Sequence, residues 1–143
     1  MAYRERIAWM LLLSILVTLG PYLIYVYGVQ QNQPIPMPGF NQLKVYAVAS
    51  SAFAILVGLG YLLLRLKYPL EAKTPADERD NAIERHTYRV GYVILLTGLI
   101  YVGIFKPFVA SGWPIVNDAI AIVFIAEVVR DIIIVRSYYL QRS

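Results

Sequence analysis

The residues of this chain that could take part in chemistry are charged side chains in two short segments. One segment places Glu127, Arg130 and Asp131 inside an otherwise apolar stretch, and the other is the charged run over 77–89. Carboxylates and guanidinium groups in such places can pair with each other, line an ion or proton route, or bind a cation. The chain has no cysteine and one histidine, His86. This excludes thiol chemistry and argues against multi-histidine haem or metal sites within the chain.

Four long apolar stretches must position these charges, and they fill most of the 143 residues. Hydrophobic residues make up 59% of the chain and charged residues 15%, against about 45–50% and about 25% in soluble domains. A helix of about 20 apolar residues matches the hydrocarbon core of a bilayer and bonds its own backbone polar groups. The prediction is an all-α integral membrane four-helix bundle over residues 1–143, with spans at about 7–29, 43–66, 88–106 and 115–136 and a polar loop and helix start at 67–88.

Basic residues are concentrated before the first span, between the second and third spans, and after the fourth. These are Arg4, Arg6, Arg65, Lys67, Lys73, Arg79, Arg85, Arg89, Arg136 and Arg142. The other connections carry only Lys44 and Lys106. The positive-inside rule therefore predicts a multi-pass protein of the cytoplasmic (inner) membrane with both termini cytoplasmic. We expect this basicity to reflect topology and anionic lipid, with no nucleic acid as a partner.

Small residues recur at helical spacing on the second and third spans. They are Ala47, Ser51, Ala54 and Gly58 on the second span, and Gly91 and Gly98 on the third. Small side chains let two helix backbones approach closely. Because a short cytoplasmic segment joins these two spans, we expect them to be antiparallel neighbours packed along these residues.

The segment Thr74-Pro75-Ala76-Asp77 is typical of a helix start. Thr74 can be the N-cap, Pro75 suits the first helical position, and Asp77 completes a pattern like a capping box. We therefore expect a cytoplasmic helix that begins here and enters the membrane near Val90. The candidate cytosolic motif on this helix comprises Asp77, Glu78, Arg79, Asp80, Glu84, Arg85 and Arg89.

The charges of this motif lack opposite partners on their own helix. Like charges meet instead, at Asp80 with Glu84 and at Arg85 with Arg89, which slightly destabilises an isolated helix. One hypothesis is a cluster of ion pairs that joins the cytoplasmic helix ends, and the other is a solvated charged face. The candidate partners for the first hypothesis are Arg4, Arg6, Arg136 and Arg142. A divalent cation held by three helix-borne carboxylates has less support, because hard cations take six or more oxygen ligands, and we assign no metal site.

Glu127 lies nine residues after Asp118, about 13 Å deeper along a helix and therefore near the bilayer centre. An ionised carboxylate facing lipid is costly there, and pairing with Arg130, three residues on, would lower that cost. Three interpretations stay open for these charges and Asp131. They fix helix packing, they line an ion or proton route, or the span sits shallower and leaves Arg130 and Asp131 at the interface.

Several short motifs are spread over nearly the whole chain. Arg6-Ile7-Ala8-Trp9 opens it; Asp77-Glu78-Arg79-Asp80, Ile83, Glu84 and Gly91-Tyr92 precede or begin the third span; and Trp113, Asn117, Phe124, Tyr139 and Arg142 follow. In these the chain resembles a family of small four-span prokaryotic membrane proteins of unknown function. The resemblance implies a cytoplasmic membrane location, four-helix topology and a shared D-E-R-D segment. Some such proteins are similar to partners of helix-turn-helix regulators. The charges in span four and the ending Leu140-Gln141-Arg142-Ser143 depart from the usual pattern.

The sequence contains no recognisable catalytic motif. A Gly-rich phosphate loop, G-x-S-x-G, H-E-x-x-H and a convergent Ser/His/Asp set are all absent. We therefore predict a non-enzymatic protein that has no cofactor. We expect it to be an accessory, structural or regulatory subunit that docks on another membrane protein or forms a homo-oligomer. The alternative is a small oligomeric transporter or channel, coupled to ions or protons, that uses Glu127.

Overall fold

The computed structural model describes residues 2–140, and no strand occurs among them. Two of the long helices end in π-helical turns. The helices are α1 over Tyr3–Ile24, α2 over Phe40–Lys67, the short α3 over Pro69–Lys73, α4 over Glu78–Ile100 and α5 over Trp113–Leu140. A π-helical turn at Tyr25–Val29 continues α1. A π-helical turn at Tyr101–Phe105 and a 3-10 turn at Lys106–Phe108 continue α4.

Three of the described helical segments are long and apolar enough to cross a membrane. They are Tyr3–Val29, Phe40–Lys67 and Glu78–Phe108. Helix α5 has the length, but Glu127, Arg130 and Asp131 lie in its middle and make it more charged than a typical span. The predicted all-helical class is confirmed, with three helices rather than four that meet the requirements of a span.

Helices α1 and α5 occupy the centre of the arrangement. Helix α1 packs against α2 on one side and α5 on the other, and α5 also packs against α4. The buried apolar positions of α1 are spaced alternately four and three residues apart, which keeps them on one face of the helix. They are Ala8, Leu12, Ile15, Leu19, Tyr22 and Val26.

The predicted packing of α2 against α4 is wrong. Helix α4 packs on α5 instead, where Gly91 lies beside the backbone of Ala126 and Gly98 leaves room for the side chain of Ile122. The two glycines of the third span do form a packing seam, but with a different neighbour. A short connection brings two helix ends together without deciding which faces meet, and α5 offers large side chains that fill the space above glycine.

The small residues of α2 are also placed differently from the prediction. All four are exposed and lie outside the face of α2 that packs on α1: Ala47, Ser51, Ala54 and Gly58. Helix α2 meets α1 through another face, where Gly60 accommodates the side chain of Met10. Larger residues such as Tyr46, half-buried against the core around Tyr22 and Val26, gain more from burial on that face than alanine or serine would.

Helix α4 begins three residues later than predicted. Thr74 ends α3 and donates its hydroxyl hydrogen bond to the Leu70 carbonyl at 3.0 Å. The N-cap is Asp77, whose carboxylate accepts from the backbone N–H of Asp80 at 2.7 Å. An ionised cap makes a stronger hydrogen bond than a hydroxyl. The helix then runs without interruption through Val90, as the sequence predicts.

The four long helices alternate in direction, so the bundle has two distinct ends. The basic end holds the first residues of α1 and α4, the last residues of α2 and α5, and α3, as the contacts of Asp80 with Arg4 and Tyr138 show. The loop end holds the proline-containing segment 30–39 and the connection between α4 and α5, where Asn32 contacts Asn117. The candidate site lies in the half of the bundle toward the basic end.

Candidate functional site

The charged residues of α5 form a compact ion cluster in the middle of that helix, which we call the inner cluster. Arg130 Nη2 lies 2.7 Å from Glu127 Oε2, and Arg130 Nε and Nη2 donate to Asp131 Oδ1 at 3.3 and 3.1 Å. The guanidinium carbon is also 5.9 Å from the ring centre of Tyr88 on α4, within cation–π range. The predicted pairing of Glu127 with Arg130 is confirmed, and Asp131 belongs to the same cluster.

The inner cluster has more negative than positive groups. Two carboxylates share one guanidinium, which leaves one formal negative charge when all three groups are ionised. Asp131 is buried, with 1% of its surface exposed, whereas the Glu127 side chain is 33% exposed. A carboxylate removed from water needs a paired cation, so Arg130 is the group that makes the buried position of Asp131 tolerable.

A second cluster at the basic end joins α1, α4 and α5, and we call it the outer cluster. Arg4 Nε lies 3.5 Å from Asp80 Oδ2, and Arg4 Nη1 lies 3.6 Å from Glu84 Oε2. Tyr138 donates its hydroxyl hydrogen bond to Asp80 Oδ1. Burial first, and then this hydrogen bond, raises the pKa of Tyr138, so its phenol stays a donor at neutral pH. Here too, two carboxylates share one guanidinium.

The outer cluster confirms the hypothesis of ion pairs between helix ends for Arg4. Arg6 lies over the ring of Tyr68, with its guanidinium carbon 3.8 Å from the ring centre. Arg136 is exposed and projects from a different side of α5 than Tyr138, since two residues correspond to about 200° of helix. Arg142 lies outside the described residues.

The D-E-R-D segment separates into residues that build the fold and residues that face outward. Asp77 caps α4 and Asp80 belongs to the outer cluster, as described above. Glu78 and Arg79 are exposed on the surface between them. Later charges of the same motif, Arg85 and Arg89, are exposed as well.

The three acidic residues considered for a divalent cation do not converge. Asp77 is occupied as a helix cap, whereas Asp80 and Glu84 face Arg4. Over residues 2–140, no group of His, Asp and Glu side chains is arranged to hold a metal ion. Asp80 and Glu84 therefore act through arginine and tyrosine partners, and Asp77 through a backbone N–H.

A cavity of about 470 Å³ lies between the inner and outer clusters, and all four long helices contribute to its wall. Its charged and hydrogen-bonding lining residues are Arg4, Tyr61, Asp80, Glu84, Thr87, Tyr88, Arg130, Asp131 and Tyr138. Glu127 does not line this cavity, although it contacts Arg130, which does. Any ligand in the cavity would meet Asp131 rather than Glu127.

The loop end is closed by a network of neutral side chains. Tyr22 donates its hydroxyl hydrogen bond to Asn117 Oδ1 at 2.8 Å and accepts one from Gln42 Nε2 at 3.2 Å. Asn117 Nδ2 donates to Asn32 Oδ1 at 3.1 Å. Because Tyr22, Gln42 and Asn117 are buried, this network binds α1, α2 and α5 and the 30–39 segment into one unit.

The carboxylate of the loop end has a lysine partner, and a further lysine at this end, Lys44, is exposed. Asp118 pairs with Lys106, which follows α4, and accepts hydrogen bonds from Tyr27 and Asn32. The indole of Trp113 donates to the Pro38 carbonyl at 3.1 Å. These contacts fasten the proline-containing segment across the end of the bundle.

Reasoning from the sequence missed this network. Tyr22 fits a belt of interfacial aromatic rings and Asn117 fits a helix cap, and neither pattern indicates the other residue. A signal was present, because amide side chains at the edges of apolar stretches require hydrogen-bond partners when they enter a membrane. Gln42 and Asn117 meet that description.

No known protein family, no curated protein and no solved structure matches this chain. No related protein therefore guides the interpretation of the inner cluster, the cavity and the loop-end network. The resemblance drawn from the D-E-R-D segment stays a prediction for the same reason.

Proposed function

We propose that this protein is a non-enzymatic subunit of the cytoplasmic membrane that docks on another membrane protein through the outward face of α2. That face is the line of Ala47, Ser51, Ala54 and Gly58. The partner is a transmembrane helix, which can approach α2 closely along such small residues. The exposure of this stripe, about 100° around α2 from the half-buried Tyr46, Phe53 and Val57, is the observation that carries the proposal.

The proposal includes a fourth span and cytoplasmic termini. Helix α5 packs between α1 and α4, which are both long and apolar enough to cross a membrane, and it would share their layer of lipid. Pairing of Arg130 with Glu127 and Asp131 supports this by reducing the cost of its charges. The excess of Lys and Arg at the basic end supports a cytoplasmic location for that end.

The position of α2 at the edge of the bundle supports docking there. Helix α2 packs along its length only on α1, and its most hydrophobic part has no buried residue. Glycine and alanine facing lipid give few dispersion contacts compared with leucine. A partner helix would recover those contacts, and exposed charges such as Glu78 and Arg79 at the basic end would remain available to its cytoplasmic part.

The absence of cysteine makes the proposal directly testable by site-specific crosslinking. A benzophenone maleimide attached to Ser51→Cys should give a crosslinked protein adduct on illumination of native membranes. Val17→Cys is the matched control, because Val17 is 65% exposed near the middle of α1. Adducts of equal yield at both positions, or at neither, would refute docking through this face.

A second substitution separates specific contact from collision. Gly58→Leu should abolish the Ser51 adduct by filling the stripe, whereas Gly20→Leu on α1 should leave it unchanged. A Cβ atom at either glycine meets nothing within 4 Å in the bundle, so neither change disturbs internal packing. An adduct at twice the mass of the chain would identify the partner as a second copy.

The second candidate function is transport of a cation or proton by an oligomer, and the negative balance of the inner cluster beside the cavity favours it. Because Asp131 lines the cavity and Glu127 does not, we expect Asp131→Asn to abolish flux in liposomes and Glu127→Gln to reduce it less. Flux that is the same in both variants and the unmodified protein would remove these carboxylates from any transport mechanism.

A further inference from the structure

The cavity is bordered by two ion clusters that share one unusual property. In the outer cluster Arg4 serves Asp80 and Glu84, and in the inner cluster Arg130 serves Asp131 together with Glu127. Over residues 2–140, each cluster thus has two carboxylates for one guanidinium. The two clusters are about 10 Å apart along α5, since Asp131 and Tyr138 are separated by seven residues.

Among the described residues, the balance of charge around the cavity is therefore negative at both levels. With every group ionised, the lining residues have one carboxylate more than they have guanidinium groups, and Glu127 adds a second through its contact with Arg130. Water screens the excess poorly at the buried Asp131 and more strongly at Arg4 and Glu84, whose side chains are 37% and 46% exposed. A positively charged group between the clusters would be attracted from both sides.

The walls between the two clusters are apolar and aromatic. Helix α1 contributes Ile7 and Leu11, and α2 contributes Phe53 and Val57. The rings of Tyr61 and Tyr88 also line the cavity. Walls of this kind favour an apolar body, and aromatic faces attract cations.

We infer that this cavity binds a monovalent organic cation with a hydrophobic body. The volume of about 470 Å³ falls within the range of about 300–1,000 Å³ typical of small-molecule pockets. An inorganic cation fits less well, because the walls between the clusters are apolar and offer few oxygen ligands.

The arrangement of the helices gives such a ligand a route from the lipid. Helices α2 and α4 both line the cavity but do not pack against each other along their length. The cavity can therefore be reached between them from the side as well as from the basic end. A hydrophobic cation concentrates in membranes, so lateral entry suits this class of ligand.

This inference goes beyond both proposed functions, since binding requires neither a docking partner nor transport. It concerns the inward face of α2 and the centre of the bundle, whereas docking concerns the outward face. A failure of ligand binding would leave the crosslinking result at Ser51 untouched, and the reverse also holds.

The test uses the purified full chain in detergent and two probes of the same shape with opposite charge. Equilibrium dialysis should show saturable binding of tetraphenylphosphonium at one site per chain, and no saturable binding of tetraphenylborate. Asp131→Asn should weaken tetraphenylphosphonium binding about tenfold or more, because it removes the buried carboxylate that faces the cavity.

A second variant keeps the test decisive if the buried substitution unfolds the chain. Val57→Trp places a large ring in the cavity without changing any charge, and it should abolish binding while thermal stability is retained. Glu78→Gln is the matched control, because it removes an exposed carboxylate at the same end that does not line the cavity. It should leave binding unchanged.

Three results would overturn the inference. The first is equal binding of both probes, which would indicate partition into the detergent or a generally hydrophobic surface. The second is tetraphenylphosphonium binding that survives Val57→Trp in a folded protein. The third is the absence of saturable binding to the unmodified chain.

Discussion

The two ends of the bundle use polar side chains in opposite ways. At the loop end, Tyr22, Gln42 and Asn117 bond to one another, are buried and carry no charge. Toward the basic end, Arg4 joins α1 to α4 and Arg130 pairs within α5. Each guanidinium serves two carboxylates, and a cavity separates the clusters. The loop end is closed by neutral hydrogen bonds and one ion pair, whereas the other half has an open cavity between two clusters in which two carboxylates share each guanidinium.

This difference separates the parts of the bundle that provide stability from those available for binding. A neutral network in which every donor and acceptor is satisfied has no free hydrogen-bonding group for a ligand, and it fixes the positions of the helices. An ion cluster with one carboxylate in excess is incomplete by one positive charge. Stability should therefore depend on both regions, whereas ligand binding should depend only on the half toward the basic end.

The largest effect is expected at Arg130, the only cation of the inner cluster. Arg130→Gln should destabilise the protein by about 3–5 kcal/mol, because it leaves the buried Asp131 and its neighbour Glu127 without a partner. Reversible unfolding in mixed micelles with increasing SDS measures this change. Arg136→Gln, at an exposed position on the same helix, should change stability by less than about 0.5 kcal/mol. Equal losses would mean that the inner cluster has no special role.

The ion pair of the inner cluster could be predicted from the sequence because both of its residues lie on one helix. The spacing of Glu127 and Arg130 on one helix was enough to predict their contact, because residues three apart share a helix face. Pairing of Asp80 and Glu84 with a distant arginine was predictable as a class, since no opposite charge lies within reach on α4. The choice of Arg4 among the candidates was not, because it depends on how the helices rotate against each other.

The order of the helices could not be predicted for a similar reason. Small residues mark faces on both α2 and α4, and the sequence does not say which neighbour each face meets. Gly91 and Gly98 pack on α5, whereas Ser51 and its companions face outward. The loop-end network was unpredictable because Tyr22 and Asn117 are distant in sequence. Contacts within one helix are determined locally, and contacts between helices depend on packing that only the whole bundle defines.

An intermediate effect is expected at the loop end, where Asn117 connects α5 to α1. Asn117→Ala should destabilise the protein by about 2 kcal/mol, because the buried hydroxyl of Tyr22 loses its acceptor. Asn41→Ala, an exposed asparagine at the same end, is the control and should have little effect. Binding of tetraphenylphosphonium to folded Asn117→Ala protein should be unchanged. A loss of affinity at constant fold would show that the two halves are coupled.

The smallest effect gives the sharpest comparison, because removal of one carboxylate should act differently at the two ends. Asp118→Asn should destabilise the protein by about 1 kcal/mol, since Lys106 would lose its only charged partner among the described residues. Glu127→Gln should cost less than about 0.5 kcal/mol or stabilise slightly, because Arg130 keeps Asp131 and the excess negative charge disappears. The same SDS unfolding measurement compares the two variants directly.

The sign of the Glu127→Gln effect depends on ligand if the inner cluster is incomplete. Without a bound cation the excess carboxylate destabilises the protein. With tetraphenylphosphonium bound, the carboxylate is attracted to the ligand and stabilises the complex. The unmodified chain should therefore gain more stability from saturating tetraphenylphosphonium than Glu127→Gln does, while Asp118→Asn should gain as much as the unmodified chain. Equal gains in all three proteins would show that Glu127 does not contribute to cation binding. A decrease of about 1 kcal/mol in the free energy of unfolding from Glu127→Gln without ligand would contradict an excess of negative charge in the inner cluster. The ion pair of Glu127 with Arg130 would then stabilise the protein as the pair of Asp118 with Lys106 does.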